Sequence, residues 1–236
     1  DHRDLHSFPT RRSSDLQSIS VTEWTNNVSN LIIENNAINF MSNNTVHPYL
    51  GKRPKKGINL SENHLNSSYL KIGPSNSFSN IMYGIYSINS DVQIINNNFF
   101  SIGFSDEIDK TPRAAIYAQG LKTNGTNNII VGGNAQNSNT FSDCLNGVVI
   151  RNNYNPIISH NNFSDRLNGT AVILQNMNGY WTQLLNMNTG LVSNNTITNY
   201  GLGVSATTNG FANIQINNNN ITGSNLQTNI SRGIQI

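Results

Sequence analysis

Cysteine occurs once in this chain of 236 residues, at Cys144, which excludes an internal disulfide framework and a thiolate metal cluster. Charge is scarce too. Asp, Glu, Lys and Arg make up 11% of the residues, 14 bases against 12 acids, and a net charge of +2 provides no dense basic face for a nucleic acid. No apolar run approaches the roughly 20 residues of a membrane-spanning helix. No apolar pattern keeps the ~3.6-residue period long enough to specify a helix either.

What is abundant is asparagine, 45 of the 236 residues. Asn forms helices poorly and tolerates left-handed turn geometry. A disordered Asn-rich tract would show polar monotony. Here Ile, Val, Leu and Phe recur at regular positions throughout, so the chain has a core.

Asp1 to Leu16 stands apart. The run Asp-His-Arg-Asp-Leu-His-Ser-Phe-Pro-Thr-Arg-Arg-Ser-Ser-Asp-Leu resembles a translated short-read sequencing adaptor, codon for codon. It is expected to be an artefact outside the fold, not a natural basic arm for nucleic acid. It holds as many acids as bases, so the net charge of 17–236 remains +2. Residues 17–236 suffice for one domain with its own core. Both ends read as the edges of a longer coding sequence, which would place any signal peptide before Gln17 of the full protein.

The chain repeats. Phe141-Ser142-Asp143-Cys144-Leu145-Asn146-Gly147 and Phe163-Ser164-Asp165-Arg166-Leu167-Asn168-Gly169 agree at six of seven positions, 22 residues apart. A period in the low twenties is that of a solenoid coil. A looser step (apolar, two residues, Asn, any residue, apolar) recurs through the chain, as in Ile94-Ile95-Asn96-Asn97-Asn98-Phe99 and Ile216-Asn217-Asn218-Asn219-Asn220-Ile221. Its Asn positions are 36, 63, 97, 139, 161, 195 and 219. Gly-apolar segments such as Gly84-Ile85-Tyr86 and Gly147-Val148-Val149 lie between them. The pattern predicts short parallel strands, aliphatic stacks inside and an amide ladder at the bends. The handedness of parallel crossovers makes the coil right-handed.

At this point the sequence resembles the parallel β-helix repeat proteins of the pectin-lyase-like superfamily, over essentially all of residues 17–236. The expected architecture is an all-β, right-handed parallel β-helix of about seven to eight coils, each of about 22–24 residues with loop insertions. It is expected to be truncated at both ends. The resemblance implies a secreted or cell-surface module that binds a polysaccharide, with or without processing it as a lyase or glycoside hydrolase. The alternative is a non-catalytic structural stalk or adhesin segment. The Asn-Thr-Asp, Asp-Asp and Arg-Ile-Lys motifs of polygalacturonase-type hydrolases are missing, and no complete catalytic motif is present.

Three places invite chemistry. The twin motif puts Asp143 and Asp165 at equivalent points of adjacent coils, with Arg166 beside them. Paired carboxylates of that kind serve glycosidases and Ca²⁺ sites, but Asp at a repeated turn also serves as a backbone cap. Asp106, Glu107 and Asp109, followed by Lys110 and Arg113, form an acidic loop. Pectate-lyase-type enzymes pair Ca²⁺-binding acids with a catalytic Arg or Lys on neighbouring coils, which makes this loop a second metal candidate; a solvated loop with internal ion pairs is the plainer reading. Tyr180 and Trp181 lie in an excursion from Gln175 to Thr189, where aromatic faces would either meet a sugar or cover the flank of the coil. Ca²⁺ is the one cofactor these residues suggest.

Overall fold

The computed structural model describes residues 17–22, 31–39, 56–63, 70–103, 113–120, 127–152, 154–177, 189–208, 213–223 and 232–236. The adaptor-like residues 1–16, the acidic loop with Asp106, Glu107 and Asp109, and Tyr180 and Trp181 lie outside them.

The described chain is all-β, and its strands come in threes. The first circuit is β1 (Gln17–Thr22), β2 (Ile32–Ile33) and β3 (Ala37–Asn39). The second is β4 (Lys56–Ser61), β5 (Leu70–Ile72) and β6 (Ser77–Ser79), and the third β7 (Tyr83–Ile88), β8 (Val92–Ile94) and β9 (Asn98–Phe100). The fourth is β10 (Ile116–Gln119), β11 (Asn127–Gly132) and β12 (Thr140–Ser142). β13 (Asn146–Arg151) and β14 (Tyr154–Ser159) lead into β15 (Asn162–Met177), which closes the fifth circuit and opens the sixth. β16 (Thr189–Ser193) and β17 (Thr196–Thr208) repeat that arrangement, and β18 (Asn213–Asn217), β19 (Asn220–Thr222) and β20 (Arg232–Gln235) follow. Among the described residues the only helical segment is one 3₁₀ turn, Ala135–Asn137.

Each strand pairs in parallel with its counterpart one circuit away. First and third strands make up a thirteen-stranded sheet, and second strands a seven-stranded one. Parallel strands in curled sheets of this kind are compatible with a β-helix or solenoid. No described helix is long and apolar enough to cross a membrane.

The registers explain the apolar pattern. First strands align Ile58, Ile85, Ile116, Val148, Val172 and Val204 in one file. Second strands align Ile33, Ile72, Ile94, Val131, Ile158 and Val192. Third strands align Ile38, Phe78, Phe99, Phe141, Phe163 and Ile197. All of these are buried and share one core. The four phenylalanines form a continuous stack, with centroids 4.8, 4.9 and 4.5 Å apart and ring planes within 8° of parallel. Each such side chain contributes about 1.5–3 kcal/mol by leaving water. Gly147 is needed where its strand passes over that stack, because a Cβ there would lie 2.5 Å from both the Phe163 ring and the Ala171 carbonyl oxygen.

The corners explain the asparagine. Fourteen described non-glycine residues have positive φ, and eight of them are Asn: 35, 80, 89, 96, 152, 194, 199 and 218. A short side chain that bonds its own backbone lowers the cost of this conformation.

The corner between second and third strands also carries the amide ladder. Asn36, Asn76, Asn97, Asn139, Asn161, Asn195 and Asn219 form it, each Nδ2 donating to the next Oδ1 at 2.9–3.2 Å. From Asn76 onward, Nδ2 also donates to a carbonyl on the preceding second strand, at 2.7–2.9 Å. The ladder thus runs in one direction, and its buried amides are paired.

One expected member is replaced. Asn63 sits at a different corner, between first and second strands, where its N and Nδ2 donate to Ser90 Oγ at 3.1 and 3.2 Å. The apolar-x-x-Asn-x-apolar step describes a left-handed corner followed by a strand, and more than one corner meets it. Asn76 takes the ladder position, in a segment with one more residue than the usual step: Asn76 is four residues after the core residue Ile72, whereas Asn97 is three after Ile94.

Candidate functional site

The twin Phe-Ser-Asp motif turns the corner from a third strand into the next first strand. Phe141 pairs with Phe163 and Ser142 with Ser164, so Asp143 and Asp165 begin equivalent corners. Both adopt left-handed backbone, φ 53° and 65°, and Asp143 N donates to the Ser164 carbonyl at 3.0 Å. Beyond that point the 22-residue match no longer describes the structure. Val148 pairs with Val172, 24 residues on, so the second corner holds two more residues than the first. The seven-residue identity therefore overstates the equivalence: Gly147 aligns in register with Ala171, not with Gly169.

The longer corner brings Arg166 back to Asp143. Arg166 Nη1 donates to Asp143 Oδ1 at 3.1 Å, and Ser101 Oγ, one circuit earlier, donates to Oδ2 at 2.9 Å. Gly169 makes room for the arginine stem, because a Cβ there would come within 2.6 Å of Arg166 Cγ. Asp165 is exposed and turns to the next circuit, with Asn199 Nδ2 3.4 Å from its Oδ1. The expected trio is thus divided: Asp143 and Arg166 are joined, while Asp165 belongs with Asn199.

Behind the corner the environment is apolar. Cys144 is fully buried, and loss of hydration pushes its thiol up to about 12, so it stays protonated and unreactive as a nucleophile. Tyr200 OH donates to the Cys144 carbonyl at 3.1 Å, and burial likewise raises its phenol well above the ordinary value. His160 lies at another corner, with φ 58°, next to ladder residue Asn161. Among the described residues, no three or more His, Cys, Asp or Glu side chains converge as a metal set would.

The ion pair remains partly solvated, its side chains 24% exposed for Arg166 and 34% for Asp143. Pairs of this kind contribute at most about 1 kcal/mol. Asp143→Asn should therefore lower unfolding free energy in urea by no more than that amount. A loss of several kcal/mol would identify the corner as a keystone of the fold.

A second cluster lies on the outer face of the first strands. Tyr86 and Tyr117 stack with centroids 5.0 Å apart, and Tyr83 meets both edge-on. Lys56 Nζ lies 3.7 Å above the Tyr86 ring and donates to Asn59 Oδ1 at 3.0 Å, while Tyr117 OH donates to Gln119 Oε1 at 2.6 Å. Met82, Ala114 and Val149 are buried in the same cluster. The sequence signal was present in Ala114-Ala115-Ile116-Tyr117-Ala118, which is apolar at both parities, as in a strand covered on both faces.

No known family, curated protein or solved structure matches the chain. The resemblance to pectin-lyase-like proteins thus rests on the repeat itself, and the all-β, parallel-stranded character rests on the coordinates.

Proposed function

We propose that the chain is a stretch of right-handed parallel β-helix, of the pectin-lyase-like kind, that works outside the cell or on its surface as a stiff structural stalk or adhesin segment. One observation carries this reading: both carboxylate oxygens of Asp143 are bonded within the fold, to Ser101 and to Arg166. A carboxylate engaged in this way braces three successive circuits, with each of its oxygens already accepting from a protein donor. The amide ladder supports the same reading, because it adds rigidity without adding chemistry.

Calorimetry with Ca²⁺ tests it. No saturable heat is expected for the whole chain, and none that depends on Asp143→Asn or Asp165→Asn. A saturable Ca²⁺ signal that either substitution abolishes would replace the stalk with a metal-dependent site.

The tyrosine cluster favours a second reading, a module that binds polysaccharide. Tyr83 and Tyr117 are buried, so the contact would be made by the half-buried Tyr86 ring with Lys56 beside it, one apolar surface next to one polar group. Under that reading, acidic and neutral glycans bind to the intact chain, and Tyr86→Ala or Trp181→Ala weakens the complex.

A further inference from the structure

The outer face of the third strands is both uncharged and regular. Side chains alternate along a strand, so each third strand aims its middle residue into the core and the two flanking residues outward. The first outward file carries Ala37, Ser77, Asn98, Thr140, Asn162, Thr196 and Asn220 in register, all exposed and all but Ala37 polar. The second runs from Asn39 to Thr222 and is made of Asn, Ser and Thr except at Phe100. Neither file contains an acid or a base, although charged residues occur throughout the chain.

The geometry of this face is fixed by the backbone beneath it. Parallel pairing repeats each group at ~4.8 Å along the file, and the two files stand about 7 Å apart. The phenylalanine stack and amide ladder hold the strands in place, and β-branched Thr adds a side chain with few rotamers. Hydroxyl and amide groups both donate and accept, as water does. A ligand that matches such an array must be neutral, flat, periodic on the same few-ångström scale, and able to donate and accept at each lattice point.

A second copy of the chain is a poor fit. Six spacings by two files cover on the order of 300 Å², well under the ~800 Å² per partner of a stable protein interface. A polysaccharide surface would call for aromatic platforms, and the only ring on this face is Phe100, 53% exposed. Crystalline water meets all four requirements, and a pre-ordered array pays little entropy to hold it. We propose that the outer face of the third strands binds the surface of ice. This inference goes beyond the stalk reading and stands or falls separately from it, since it depends on strand register and not on the role of Asp143.

The test uses the full chain in sub-zero nanolitre osmometry and in an ice-recrystallisation assay. The expected result is faceted crystal growth with a freezing hysteresis gap. Thr140→Lys and Thr196→Lys, both at exposed positions, should abolish it without moving the thermal midpoint. Gln215→Lys, exposed on the other sheet, should leave it intact. Phe100→Thr completes the second file and should widen the gap, so the proposal predicts a gain as well as a loss. An intact chain that leaves crystal shape and hysteresis unchanged overturns it. So does sedimentation with insoluble neutral glucan or chitin that the same two lysines abolish while ice growth is unaffected, because the occupant would then be a polysaccharide.

Discussion

Asn161→Leu is expected to lower the unfolding free energy by about 3–6 kcal/mol, enough to unfold much of the population of a marginally stable domain. Asn161 has no exposed surface. Its Oδ1 accepts from Asn139 N and Nδ2 at 3.2 and 2.9 Å, and its Nδ2 donates to the Val131 and Ser159 carbonyls and to Asn195 Oδ1 at 2.9–3.1 Å. Leucine has similar volume, so the cavity term is small. What is lost is the pairing of several buried groups that water cannot reach, each worth about 1–3 kcal/mol when orphaned. Urea denaturation followed by circular dichroism would measure it. A change below 1 kcal/mol would mean that the ladder is ornamental, and the same substitution at Asn36, which is only half-buried at the ladder's first rung, provides the mild control.

The second large effect lies in the phenylalanine stack. Phe141→Ala should cost about 3–5 kcal/mol, since it empties the volume of a fully buried ring. It also removes two parallel contacts, to Phe99 at 4.9 Å and Phe163 at 4.5 Å. Stacked pairs contribute roughly 0.5–1.5 kcal/mol beyond burial, so a double substitution with Phe163→Ala should cost less than the sum of the singles, because their shared contact is lost only once. Strict additivity in a denaturant titration would show that the rings act independently, as separate fillers of the core.

How much of this was readable from residues alone depends on how far each feature is local. The Phe141 and Phe163 pairing was legible because a repeated motif needs only its own period to be found, and the structure pairs the two residues directly. Asn97, Asn139, Asn161, Asn195 and Asn219 were legible for the same reason. Asn63 was misplaced because two corners of one circuit obey the same local rule, a left-handed residue followed by a buried polar one; only pairing across circuits separates them. The corner chemistry was least legible. Asp143 and Asp165 looked like twins, and the two residues that separate their corners carry no signature in Leu167-Asn168-Gly169, which copies Leu145-Asn146-Gly147. The partner of Asp143 from the earlier circuit, Ser101, is 42 residues away in sequence and belongs to no motif. The tyrosine cluster could have been inferred from apolar residues at both parities of its strands.

The amide ladder has a consequence for how such a chain can vary over evolutionary time. Its rungs stand 21 residues apart between Asn76 and Asn97 and 42 apart between Asn97 and Asn139, yet both steps close with the same pair of bonds. Doubling the length of an intervening loop raises its closure entropy by only about 0.6 kcal/mol. Segments of widely different length can therefore be spliced in, deleted or exchanged between rungs at little thermodynamic penalty, while a change at a fully buried rung is punished at once. Such a chain behaves as a rack with fixed pegs and interchangeable cargo, and descendants should diverge quickly in their loops long before they diverge at the pegs.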